Sequence, residues 1–178
     1  EPIISKLADE SALRIHILAS VAGGYIHDVK GMLEFISHTF LYHQRQGANL
    51  FNLITEIFEF LHHEKFIEKS GTHFFPTTLG SLTSRLYIDP LTAYFIIACM
   101  RNASDKRIDA FSFLQMISHT LEIRPMLKVG LREHDKIQEA MLEFSDYILE
   151  DEPSMYDPEY EEFLNSIKTA MMFNSWIS

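Results

Sequence analysis

The sequence predicts a mainly α fold interrupted once by a small β-hairpin. Three observations predict it. Apolar residues recur at helical spacing, most clearly at Leu50, Leu53, Ile54, Ile57, Phe58 and Leu61, which take positions i, i+3, i+4, i+7, i+8 and i+11 of one stripe. Gly and Pro, 7 and 6 in 178 residues, are too few for a β-rich chain and fall where elements end. The stretch "FIEKSGTHFFPTTLG", residues 66 to 80, departs from the helical pattern. Its short runs Phe66-Ile67-Glu68 and His73-Phe74-Phe75 mix aromatic or β-branched residues with polar ones, on either side of Ser70-Gly71, a dipeptide suited to a tight turn.

Taken in order, residues 9 to 22, "DESALRIHILASVA", open on the capping-type residues Asp9 and Ser11 and stop at Gly23-Gly24, a first helix. A second starts near Asp28, carries Val29, Met32, Leu33, Phe35, Ile36 and Phe40 on one side, and ends before "HQRQGAN". The third runs from Asn49 as N-cap through the stripe already described. The hairpin follows at once, and Pro76 closes its second strand because proline cannot donate to a ladder. A lone hairpin is marginal in water. Phe66, Ile67, Phe74 and Phe75 should therefore include buried members packed on Leu61, Leu79 and Leu82, with Lys69 and Gly71 at an exposed tip. A short helix, "TTLGSLTSRLY", comes next. Three helices leading directly into a hairpin is the order of a winged helix, and residues 8–88 fill one.

A second unit, all α, begins at residue 89. Asp89-Pro90 supplies an N-cap and a proline at the first helical position of "LTAYFIIACMRN". Further helices are expected at about 109–120 with Asp109 as N-cap, 131–149, and 157–176, where Asp157-Pro158 repeats the Asp-Pro start. The breaks "NASDKR", "EIRPMLKVG" and "EDEPSMYDP" are short enough for a compact bundle, so 89–178 reads as a helical bundle.

Charge and motifs exclude several function classes. The formal net charge is −10, and residues 137–167 hold many carboxylates and no Lys or Arg. Duplex DNA rewards cationic surfaces, so any nucleic-acid role has to be local. No phosphate-binding GxxxxGK[ST] or GxGxxG, HExxH, CxxC or EF-hand pattern occurs, so the chain alone reads as no enzyme, with no cofactor and no metal. The adjacent His62 and His63 would diverge by about 100° on a helix and do not converge on one ion. The acidic run "EFSDYILEDEPSMYDPEYEE" reads as solvated surface, and Cys99, in an apolar run with no second cysteine, as core packing in a reducing, cytoplasmic setting. Neither a transmembrane segment nor a signal peptide is expected, hence no membrane partner, and the missing initiator Met reads as a piece cut from something larger.

The helix in the recognition position, 49–63, would turn Asn52, Thr55, Glu56, Glu59 and His63 outward, and its two carboxylates suit a DNA groove poorly. The candidate nucleic-acid contacts are instead Lys65, Lys69, His73 and Arg85, on the hairpin and its flanks.

Two stretches carry a family resemblance. "EPIISKLADESALRIHILASVAGG" and "FIEKSGTHFFPTTLGSLTSRLYIDPLTA" resemble the archaeal Ski-two-type DNA helicases of superfamily two, the Holliday-junction-migration type. The resemblance implies that residues 1–7 are an exit segment from a preceding motor domain. It implies a winged helix that packs against RecA-like motor domains, and an incomplete ratchet bundle that helps enclose the translocating single strand. ATP and Mg²⁺ would belong to motor domains before Glu1, the strand-contacting ratchet helix would follow Ser178, and no catalytic residue carries over. The partners implied are single-stranded or forked DNA and the motor domains of the same polypeptide, in work on repair and recombination intermediates, with the fragment itself monomeric. The alternative from a different class is a stand-alone winged-helix transcriptional regulator whose C-terminal helices bind a ligand or dimerise.

Overall fold

The computed structural model describes residues 9–39, 42 and 48–177. The chain divides into two compact units, one running through Ala93 and the other starting at Tyr94. Both the expected exit segment, residues 1–7, and Phe40 lie outside the described residues.

The first unit holds α1 (Glu10–Ala22), α2 (Val29–Ser37), α3 (Ala48–His63), the strands β1 (Ile67–Ser70) and β2 (His73–Pro76), and α4 (Thr78–Leu86). Its order is that of a winged helix. α1 packs on α3, α4 and β2, and α2 packs on α3. One core joins them, drawing Leu13, Ile17, Leu18 and Val21 from α1, Met32 and Ile36 from α2, and Leu50, Ile54, Ile57, Phe58 and Leu61 from α3. The α3 members, with Met32 and Ile36 of α2, are among the residues that helical spacing marks out. Asp28 caps α2 by accepting from the Gly31 N–H at 2.6 Å. Asn49 lies inside α3 rather than ahead of it, because the helix already includes Ala48. On α2, Phe35 is 54 % exposed and so lies off the apolar face expected for it.

The hairpin is shifted by one residue from expectation. Ser70 pairs with His73, so the two-residue loop is Gly71-Thr72. Gly71, at φ +63°, takes the first loop position, which a type II′ turn gives to glycine. Antiparallel pairing places Ile67, Lys69 and Phe74 on one face and Glu68, His73 and Phe75 on the other. Phe66 and Ile67 are fully buried and Phe74 is 8 % exposed, its ring 5.0 Å from that of Phe58. β2 is further tied down by the Phe74 N–H, which donates to the His27 carbonyl at 2.5 Å. Phe75 and Leu82 are exposed instead, because the pleat turns Phe75 away from the core. Phe74→Ala is accordingly expected to cost about 3 kcal/mol and Phe75→Ala under about 1 kcal/mol, read as shifts in urea midpoint.

α5 (Pro90–Asn102) starts as the Asp-Pro dipeptide predicts: Asp89 Oδ1 accepts from the Leu91 N–H at 2.8 Å. Beyond Tyr94 the second unit adds α6 (Ala110–Ser118), α7 (His134–Phe144) and α8 (Tyr160–Ile177), with single 3₁₀ turns at Ala103–Asp105 and Leu121–Ile123. Asp109 and Ser112 form a reciprocal capping box at the start of α6. α8 packs against both α6 and α7. Ser112, Ser118 and Ser166 are fully buried small side chains that allow a close approach of two helices, and the buried Gln115 Nε2 donates to Ser166 Oγ at 2.9 Å between them. Residues 124–129 run along α8, held by Arg124 on Glu162, by the Leu127 N–H on Thr169 Oγ1 (3.0 Å) and by the Val129 N–H on Asn165 Oδ1 (2.7 Å).

Two expected helices of the second unit differ in their bounds. The helix expected over 131–149 is confined to His134–Phe144, since the chain turns after Phe144 and sends Ile148 and Leu149 into two separate apolar clusters. Asp157-Pro158 does not start α8. The Asp157 carboxylate accepts from the Ser154 N–H at 2.8 Å, which closes a turn instead of capping a helix.

Candidate nucleic-acid interface

Each candidate residue is positioned by a different local feature. Lys65 ends α3 in the left-handed conformation, φ +63°. Its N–H donates to the His62 carbonyl and the Phe66 N–H to the Leu61 carbonyl, the bond pair of a Schellman stop, in which glycine usually fills this position. Phe66 completes the motif against Phe60, ring centroids 6.2 Å apart. A lysine carries Cβ strain there that glycine would not, so Lys65→Gly is expected to stabilise the chain by about 0.5–1 kcal/mol in thermal or urea melts.

Lys69 shares the core-facing side of the hairpin with Phe74 and holds its Nζ 5.7 Å from that ring's centroid. Its stem lies along apolar surface while the ammonium stays in water. His73 points to the opposite face, where its ring lies 6.2 Å from that of His27, itself 6.3 Å from Phe75. Arg85 is exposed in the last turn of α4, where a cation also complements the helix dipole. Lys65, Lys69, His73 and Arg85 thus lie on separate segments, with Lys69 and His73 on opposite hairpin faces.

The outward side of α3 is acidic. Asn52, Glu56, Glu59 and His63 are exposed, and Thr55, half-buried, donates to the Phe51 carbonyl. His62 turns towards the hairpin, 3.2 Å from the Ile67 carbonyl, while His63 is exposed and pairs with Glu64. Among the described residues no group of three or more His, Cys, Asp or Glu is placed to hold a metal ion. Burial first, then the nearby Glu150 and Asp151, pushes the Cys99 thiol up to about 12, which leaves an inert core residue.

Two polar constellations escape a reading along the sequence. Arg14, on the apolar face of α1, forms a bidentate pair with Asp89. In the second unit Glu150, expected as solvated surface, is only 8 % exposed at its side chain; it accepts from Gln115 Nε2 and lies 2.7 Å from His119 Nδ1. The signal for Arg14 is its place among Leu13, Ile17 and Leu18, while Glu150 follows directly on the apolar pair Ile148-Leu149.

Known proteins match this chain as follows. A family model described as archaeal helicase, domain 4, matches residues 111–178. An ATP-dependent DNA helicase Hel308 from Methanocella arvoryzae is 37 % identical across all of this chain, which covers 24 % of that protein. The Hel308 of Methanocaldococcus jannaschii is 35 % identical over the whole chain, here covering 14 % of the relative, and that of Caldivirga maquilingensis is 31 % identical with 25 % covered. The chain therefore spans a quarter or less of the length of these relatives.

Proposed function

We propose, on the premise that this chain belongs to the archaeal Ski-two-type DNA helicases, that it is a non-motor region of such an enzyme. It comprises a winged helix, residues 8–88, joined to the first part of a helical bundle from residue 89. In this reading ATP and Mg²⁺ are handled by RecA-like domains elsewhere in the longer polypeptide. The region packs against them and helps enclose the single strand during unwinding of forked or recombination DNA.

The observation that carries the reading is the acidic face of α3. In the position from which winged helices read a duplex, Glu56 and Glu59 would meet phosphates. Such a helix is better suited to packing than to sequence readout. Lys65, Lys69, His73 and Arg85 then supply dispersed contacts to the backbone of a strand, without base specificity.

The test is fluorescence anisotropy with labelled single-stranded, forked and palindromic duplex DNA across a salt series. Binding by the 178-residue chain should be weak, indifferent to sequence and steeply salt-dependent, and Lys69→Ala should reduce the slope against log salt by about 0.7. Tight binding at physiological salt with preference for a defined palindrome would overturn this reading in favour of a regulator.

A further inference from the structure

The second unit carries an apolar groove that the proposed role leaves unexplained. It lies between α7 and the segment 152–160, has a volume of about 560 Å³, and is lined mainly by Met141, Leu142, Pro153, Met155 and Tyr160, with Glu152 among the lining side chains. Leu142 is 70 % exposed, Met155 60 % and the adjacent Tyr156 89 %. This exposure is built in. The Ser154 N–H donates to Asp157 Oδ2 and the Asp157 N–H returns to the Ser154 carbonyl, both at 2.8 Å, so a closed turn holds Met155 and Tyr156 outward. Gln138 Nε2 meets Tyr160 Oη at 3.4 Å across the groove's other side.

The surroundings define what fits. Glu152 lines the groove, Glu159 is exposed beside its Tyr160, and residues 137–167 contain no Lys or Arg. Nucleic acid and anionic lipid surfaces would be repelled. A second copy meeting the same face would bring like-charged rims together. An exposed apolar surface with an anionic rim matches a cationic segment carrying apolar anchors, and methionines line grooves that adapt to such anchors.

We propose that this groove docks a Lys/Arg-rich, amphipathic segment of a protein partner, with its apolar side chains seated on Leu142 and Met155 and its cations facing Glu152 and the acidic stretch that follows it. The proposal does not depend on the helicase reading. It is tested by anisotropy of a fluorescein-labelled amphipathic Lys/Leu peptide titrated with the 178-residue chain, alongside oligolysine and a Glu/Leu peptide of the same pattern. The Lys/Leu peptide should bind with an affinity that falls as salt rises. The double variant Leu142→Ser/Met155→Ser should weaken it by about tenfold, and Glu152→Gln about threefold, with melting temperature unchanged because all three side chains are exposed. The proposal fails if the Lys/Leu peptide does not bind, if oligolysine binds as tightly, or if the folded groove variants keep wild-type affinity. Self-association of the chain that is lost in Leu142→Ser would assign the groove to a second copy and overturn it as well.

Discussion

Replacing Arg14 by leucine is expected to lower the stability of the first unit by about 4 kcal/mol, far more than an ordinary surface arginine would. Arg14 is 9 % exposed and Asp89 1 %. The guanidinium meets both carboxylate oxygens, Nε to Oδ1 at 3.0 Å and Nη2 to Oδ2 at 2.9 Å, while Nη1 reaches Glu10 at 2.6 Å. Burial works against the charge on Arg14. The hydrogen bond and attraction of Asp89, with the pull of Glu10 and Asp9, outweigh it and hold the guanidinium's pKa above its ordinary value. Leucine fills much of the volume but removes the counter-charge of a carboxylate that water cannot reach. Asp89 also accepts from the Leu91 N–H, so disturbing it loosens the start of α5 as well.

A second substitution separates the charge from the packing. In the Arg14→Leu background, Asp89→Asn removes the stranded charge while its amide oxygen can still accept from the Leu91 N–H. About half of the lost stability should return, a non-additivity expected only if the two residues are coupled. Glu10→Ala, by contrast, should cost a few tenths of a kcal/mol, because the Glu10 side chain is 60 % exposed. Urea midpoints at unchanged slope provide the measurement. A loss under about 1 kcal/mol for Arg14→Leu would show that the pair contributes little, as many ion pairs do.

The same pair marks the limit of what the sequence discloses. Helix spacing and local caps are written within a few residues, which is why the α3 stripe and the helix starts at Asp28 and Asp109 can be read directly. A contact between residues 75 positions apart has no local trace. The two Asp-Pro dipeptides illustrate the difference. Asp89 caps α5 and is gripped by Arg14 from another helix, whereas Asp157 accepts from Ser154 and closes a turn. The chemistry is identical and the tertiary partner decides.

The candidate site follows the same division. That the hairpin is basic and aromatic is legible, but which side chains face inward depends on register. With the loop at Gly71-Thr72, Phe74 enters the core and Phe75 faces water, while Lys69, exposed as expected, holds its ammonium 5.7 Å from the centroid of the Phe74 ring. Glu150 sits inside an acidic run whose other members are mostly exposed, and composition cannot single it out. Its burial beside Gln115 and His119 arises from the turn after α7, itself a boundary the periodicity overran.

Gly80→Ala is expected to be about as damaging as loss of Arg14, at roughly 4 kcal/mol or more, although the substitution looks favourable on paper. Gly80 lies within α4, where alanine would ordinarily stabilise by up to about 1 kcal/mol. The opposing term is steric. A Cβ at Gly80 would lie 2.0 Å from the Phe66 carbonyl oxygen and 2.9 Å from its carbon, with Leu18 Cδ1 at 3.3 Å. The atom in the way is backbone, at the point where α3 hands over to β1, and it cannot rotate aside. That carbonyl also accepts from the Thr77 N–H at 3.0 Å, and Thr77 Oγ1 in turn accepts from the Gly80 N–H at 3.0 Å. To admit a methyl group, α4 would have to retreat by roughly 1 Å, losing its cap and its seat on α1 together. Hydrogen exchange should then show early opening of α4 and the hairpin while α6 and α8 stay protected, and the urea midpoint of the first unit should fall. A Gly80→Ala chain equal to or more stable than the parent would mean that helix propensity wins here and that the contact between α4 and Phe66 is loose.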